Sequence, residues 1–415
     1  MSLVLLLACT SVFGKWFPFK IASNKPFVDV RIAGSAPQLF LFDTGSNASL
    51  IDPSLAKTLG FKTIQTTEGN SGVGNAATTF LQYDPPVCEE VAGAAVPDIH
   101  FIGFDLSTIA SVEGLPVLGT VGGEFIHHFV FVIDYEHRRL QALDPASFDY
   151  HGDGTVLPIT VDGQIFTKVR LRKRSGEVVT GTFYVDTGTR TALSLNAPFT
   201  RANGLLDGET VIPEATLGVG IGGESLASVF RVSDVEIGEV HLHDVVATAS
   251  HDEKGVFADP NLAGIIGGDL LRKFTVILDY PHKRVILEKT RNSDTPFLYD
   301  AAGVFLMAGG PKYDHIRILR VVPGSPAAEA GLQKGDTIEM VDGKPAAVLD
   351  DVRTLFLRQG VTYRLRISRD GKSFDKTLKT VDLLSSPTAT RKVPAASATT
   401  SGGGVTPSFS TRKLS

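Results

Sequence analysis

Cys9 and Cys88 are the only cysteines among 415 residues, too few for a disulfide framework. Sulfur is therefore not expected to staple the fold. Cys88 reads as a buried or idle thiol, because a nucleophilic cysteine needs a positioned histidine and the histidines here are scattered. An uninterrupted apolar run of the about 20 residues that span a bilayer is also missing, so the body of the chain is not expected to sit in a membrane. A surplus of basic charge is lacking too: 40 Lys and Arg stand against 45 Asp and Glu, for a net charge of −5. That balance removes the footprint nucleic-acid binding requires. Convincing helical patterns are few.

What is present is a repeat. Asp43-Thr44-Gly45 and Asp186-Thr187-Gly188 each follow an apolar run and precede a hydroxyl residue, Ser46 or Thr189. Further along, Gly122-Gly123-Glu124-Phe125-Ile126 leads into Val132-Ile133-Asp134-Tyr135, and Gly267-Gly268-Asp269-Leu270-Leu271 into Ile277-Leu278-Asp279-Tyr280. The units are nearly equal in length and order, which predicts an internal duplication with two similar lobes about a pseudo-twofold axis. Short Val, Ile, Phe and Thr-rich runs between Gly, Asp, Asn and Pro turns make both units mainly β. The expected divisions are an apolar N-terminal segment over 1–16, lobes over 17–150 and 151–292, a third domain over 297–384 and a disordered tail over 385–415.

Two carboxyls held within a few ångströms cannot both ionise and so share one proton, which makes one an acid and the other a base. Water between Asp43 and Asp186 could then attack a peptide carbonyl with no metal or cofactor. Gly45 and Gly188 would let the two loops approach backbone to backbone, Thr44 and Thr187 could hydrogen-bond across the junction, and Ser46 and Thr189 would each orient the neighbouring Asp. Asp134 and Asp279 read as structural strand ends. His127-His128 and His241-Leu242-His243 read as solvated surface histidines. Gly218 to Gly223 fits a dinucleotide-binding glycine pattern but lacks a clear βαβ unit.

These motifs resemble those of aspartic proteases, retropepsin-like in sequence and pepsin-like in carrying both halves on one chain. The apolar-apolar-Gly element is Thr120-Val121-Gly122 in the first half and Ile265-Ile266-Gly267 in the second. The resemblance implies a mainly β, two-lobed endopeptidase, active as a monomer, with catalytic Asp43 and Asp186. It also implies Gly-rich flaps, for which Gly72, Gly74, Gly220 and Gly222 are the candidates. The segment Phe297 to Leu384 resembles a bacterial-type PDZ domain through Pro323-Gly324-Ser325-Pro326-Ala327-Ala328-Glu329-Ala330-Gly331-Leu332 and Gly335-Asp336-Thr337-Ile338. That resemblance implies an α+β domain taking peptide C-termini as an added strand, their carboxylate held by loop amides near Gly303, Val304, Phe305 and Leu306. The competing expectation is a catalytically inert peptide-binding scaffold.

At the N-terminus, Met1 to Cys9 is a short apolar segment without a positive n-region, similar to the end of a signal peptide. Leu6-Leu7-Ala8-Cys9 is similar to a lipoprotein cleavage box, which would put a lipid anchor on Cys9. Export to the periplasm or cell envelope is the expectation, a cytoplasmic location the alternative.

Overall fold

The computed structural model describes residues 9–69, 78–220, 223–385 and 391–392. Strands dominate, as the turn-punctuated β-branched runs predict, and they form four sheets. One ten-stranded sheet belongs to the first lobe and one nine-stranded sheet to the second. In each, the strand that ends at the Asp-Thr-Gly motif lies parallel to the apolar-apolar-Gly strand: Gln38–Phe42 beside Gly119–Val121, and Val178–Val185 beside Gly264–Ile266. The duplicated sequence has become duplicated topology.

A six-stranded sheet joins the lobes. At its centre the strands Val130–Asp134 and Phe274–Asp279, one from each repeat, pair antiparallel from Val130 opposite Asp279 to Asp134 opposite Thr275. Asp134 and Asp279 close the strand ends in the same way: each accepts hydrogen bonds from a histidine three residues on (His137, His282) and an arginine five on (Arg139, Arg284). Their structural reading holds. The apolar core runs continuously through both lobes.

Val304–Gly309, His315–Val321, Thr337–Val341, Thr362–Arg369 and Lys372–Lys379 form the sheet of the third domain, with helices Pro326–Glu329 and Leu349–Phe356. Ser325 caps the first helix, accepting from the Ala328 amide, and Asp342-Gly343 turns the hairpin with positive φ at both residues. This domain has its own core.

Three expectations need correction. Cys9 and Cys88 are joined as a disulfide, so Cys88 is not an idle thiol. His127 is not a solvated histidine: its ring stacks on Tyr280 at 4.2 Å between centroids, and burial holds its pKa below the usual imidazole value. Within the expected tail, Arg391–Lys392 pairs with Thr210 and Val211 at a strand of the second lobe, an edge with unpaired backbone groups to offer.

Candidate active site

Each motif Asp begins where its strand ends, its amide donating to the parallel partner: Asp43 N–H to Val121 O at 3.0 Å, Asp186 N–H to Ile266 O at 2.9 Å. The glycine after that partner strand lies under the motif loop, where a Cβ on Gly122 would stand 2.2 Å from Ala48 O and one on Gly267 2.3 Å from Thr191 O. Only glycine admits that approach. Thr120, polar in an apolar strand, is satisfied through its hydroxyl, which accepts the Leu50 amide.

Four hydrogen bonds tie the two loops together. The Thr44 amide donates to Thr187 Oγ1 and the Thr187 amide to Thr44 Oγ1. The two hydroxyls in turn donate to Val185 O at 2.8 Å and Phe42 O at 2.6 Å. Both threonines are fully buried. The carboxyls then meet: a Cβ on Gly45 would lie 2.6 Å from Asp186 Cγ, and one on Gly188 2.4 Å from Asp43 Oδ1. Each carboxylate thus occupies the space left by the opposite glycine.

The two carboxyls are not equivalent. Asp186 accepts the Gly188 amide at 2.7 Å and the Thr189 hydroxyl at 2.7 Å. Asp43 accepts the Gly45 amide at 2.9 Å, but Ser46 turns its hydroxyl to Ala48 O at 2.7 Å. Thr189 orients its Asp as expected and Ser46 does not, because a local carbonyl satisfies its hydroxyl first. Burial, then the charge and hydrogen bond of Asp186, hold the Asp43 carboxyl well above the usual carboxylate range; the Gly45 amide and Lys25 oppose them.

Sequence reasoning missed the surroundings of the pair. Tyr135, Tyr184 and Tyr280 are buried, and burial together with the charge of the dyad pushes their phenols far above the ordinary range. The repeated Asp-Tyr pairs carried a signal for two of them. Glu89 lies fully buried beneath the first loop: its carboxyl accepts from Ser49 Oγ at 2.8 Å, and Ser49 Oγ accepts the Gly122 amide at 3.2 Å. Burial pushes Glu89 up to about 8.

Of the flap candidates, Gly220 ends the strand Thr210–Gly220, paired with Gly223 of the strand Gly223–Ile237. In the first lobe the strands Lys62–Gly69 and Thr78–Asp84 pair in the corresponding way. Gly72, Gly74 and Gly222 lie outside the described residues.

At the third domain, Gly303 precedes the strand Val304–Gly309 with φ of 82°, its missing side chain replaced by Ser325. The loop amides are already engaged: those of Ala302 and Val304 donate to Asp300 Oδ1 at 3.2 and 3.1 Å, and that of Gly303 to the same oxygen. The side of Val304–Gly309 facing the helix Leu349–Phe356 is engaged as well. Arg353 Nη2 bridges the carbonyls of Leu306 and Val112, and the first-lobe helix Ser107–Glu113 packs against the strand. Simple strand addition at Phe305 and Leu306 therefore meets a neighbour already in place.

Residues 28–101 match the family model described as "Aspartyl protease", and residues 317–362 the one described as "PDZ domain". Over 98 residues the chain is 29% identical to "Putative serine protease HhoA" of Synechocystis sp., covering 23% of this chain and 22% of that protein. The chain thus spans about a fifth of that relative's length. Among solved structures, the aspartic proteinase from Irpex lacteus aligns with 68% of this chain and 98% of its own (13% identity, TM-score 0.42). The HtrA3 PDZ domain bound to a phage-derived ligand aligns with 20% of this chain and 85% of its own (20% identity, TM-score 0.19). The chain is a mainly β protein that matches the aspartyl protease family over residues 28–101, repeats the Asp-Thr-Gly motif in its second lobe and carries a C-terminal PDZ domain.

Proposed function

We propose that the protein is an aspartic endopeptidase whose dyad is Asp43 and Asp186. The observation that carries this reading is the pair itself: two carboxyls, each seated over the opposite glycine and locked by reciprocal threonine bonds, Asp43 held well above the usual carboxylate range by burial and by Asp186. Asp186 removes a proton from water as the water oxygen attacks the peptide carbonyl carbon, and Asp43 gives its proton to the carbonyl oxygen. The tetrahedral diol then collapses. Asp186 returns its proton to the departing nitrogen, the C–N bond breaks, and Asp43 recovers a proton from the diol hydroxyl.

One chain supplies both carboxylates, which supports a monomer as the active unit. The PDZ domain selects or presents peptide. The Cys9–Cys88 disulfide supports a working place outside the reducing cytoplasm, in the periplasm or cell envelope. One observation favours an inert scaffold, the turning of Ser46 away from Asp43.

Incubation with a mixed-sequence quenched peptide library from acid to neutral pH separates these readings. Cleavage by the natural protein that Asp43→Asn and Asp186→Asn each abolish is the expected result. Folded protein that cleaves nothing at any pH would overturn the enzyme.

A further inference from the structure

In the first lobe the strand Lys20–Ala22 turns into Lys25–Ile32 through Ser23 and Asn24, both with positive φ, 50° and 65°. Asn takes that backbone readily and Ser seldom does, so Ser23 is held there by its surroundings. The tip of this hairpin crosses to the second lobe. Asn24 Nδ2 donates at 2.9 Å to the carbonyl of Arg190, the residue after Thr189 of the motif loop. Asn24 O lies so near Gly268 that a Cβ there would stand 2.3 Å from it.

The duplication supplies a counterpart. In the second lobe the strands Thr160–Asp162 and Gln164–Arg172 turn at Gly163, and Gln164 Nε2 donates to the Gly45 carbonyl of the first motif loop at 3.2 Å. Each lobe's hairpin thus holds the motif loop of the other. The PDZ domain reinforces the first of these two clasps. Its helix Leu349–Phe356 seats Ser23: Asp350 accepts the Ser23 amide at 3.2 Å, and Arg353 Nη1 donates to Ser23 Oγ at 2.6 Å. Arg190 reaches the PDZ domain as well, its guanidinium over the Phe305 ring at 5.4 Å from the centroid and its charge acting on the Asp300 carboxyl. The second motif loop is therefore held at its backbone by the hairpin and at its side chain by the PDZ domain.

The loop so reinforced is the one whose hydroxyl reaches its aspartate. Thr189 Oγ1 donates to Asp186 at 2.7 Å, whereas Ser46, on the loop held by the Gly163 hairpin, donates to Ala48 O.

We propose that Asn24 is a positioning residue for the dyad, and that the PDZ helix, acting through Ser23, braces it against the second motif loop. The positioning role rests on the reading of Asp43 and Asp186 as catalytic; the brace does not. Seating of the PDZ domain on the hairpin tip then fixes the orientation of Thr189, and through it that of Asp186.

Hydrogen exchange followed by mass spectrometry on the full chain reads the brace without turnover. Asn24→Gly keeps the positive φ of the turn and loses the donor, while Asp350→Ala removes the acceptor of the Ser23 amide. Each should raise exchange in the segment 187–192 by about fivefold, the equivalent of one neutral hydrogen bond, and leave the first motif loop, 44–49, unchanged. Asp350→Asn retains an acceptor for Ser23 and should behave as the natural protein. The double variant should exchange no faster than Asn24→Gly, since both changes cut one path. In peptide cleavage Asn24→Gly should lower kcat by about tenfold with KM unchanged, because the loss falls on orientation in the transition state. Unaltered exchange at 187–192 in either single variant, or an equal rise at both motif loops, would overturn the brace. Raised exchange with unchanged kcat would overturn the positioning role. If exchange responds as expected while the natural protein cleaves nothing, the brace stands, and the peptidase reading falls together with the part of Asn24 in it.

Discussion

Thr44 and Thr187 hold each other by a closed pair of hydrogen bonds, the amide of each donating to the hydroxyl of the other at 3.1 and 3.0 Å. Thr187→Val keeps the shape but leaves the buried Thr44 amide without an acceptor. A cost of about 1–3 kcal/mol in urea unfolding is expected. Because these bonds also set the separation of Asp43 and Asp186, peptide cleavage should fall by about a hundredfold, and Thr187→Ser should restore both.

Gly45→Ala and Gly188→Ala should each abolish cleavage. The new methyl would have to stand where the opposite carboxyl now lies, at 2.6 and 2.4 Å, so the dyad must part. The far-UV circular dichroism should remain that of the natural protein, since the sheets are not touched. Cleavage retained by either variant would contradict the placement of the carboxyls.

Glu89 sets a pH dependence of stability. The unfolded chain releases this proton near 4.5, the folded protein only at about 8, so between those values the native state holds more protons than the unfolded one. Stability contributed by Glu89 therefore falls as pH rises through that window, by on the order of a few kcal/mol. Glu89→Gln, which keeps an acceptor for Ser49, should flatten the decline and raise the melting temperature at pH 8 relative to the natural protein.

The disulfide closes a loop with a sequence separation of 79 residues. In the chain-entropy account its loss costs about 4 kcal/mol. Cys88→Ser, or thermal unfolding with a reductant present, should lower the melting temperature by the same amount, and the reductant should do nothing further to the variant.

The parts legible in the sequence were those written as contiguous motifs. Asp-Thr-Gly, the glycine beneath each loop and the capped PDZ turn place their residues through local backbone demands, and a repeat doubles the signal. The fate of Ser46 was not legible, since Ser and Thr offer the same hydroxyl and the choice between Ala48 O and Asp43 depends on loop conformation. Nor was the pairing of Cys9 with Cys88, two residues brought together only by the packing of the N-terminal segment on the first lobe.

The sheet shared by the two repeats has a consequence for the chain's continuity. Val130–Asp134 pairs along its whole length with residues 275–279, and the link between lobes around His151 to Gly154 takes no part in that seam. A nick at this link would leave the backbone ladder and the common apolar core intact. The two halves should therefore reassemble from separate polypeptides, much as two subunits find each other, each bringing one aspartate.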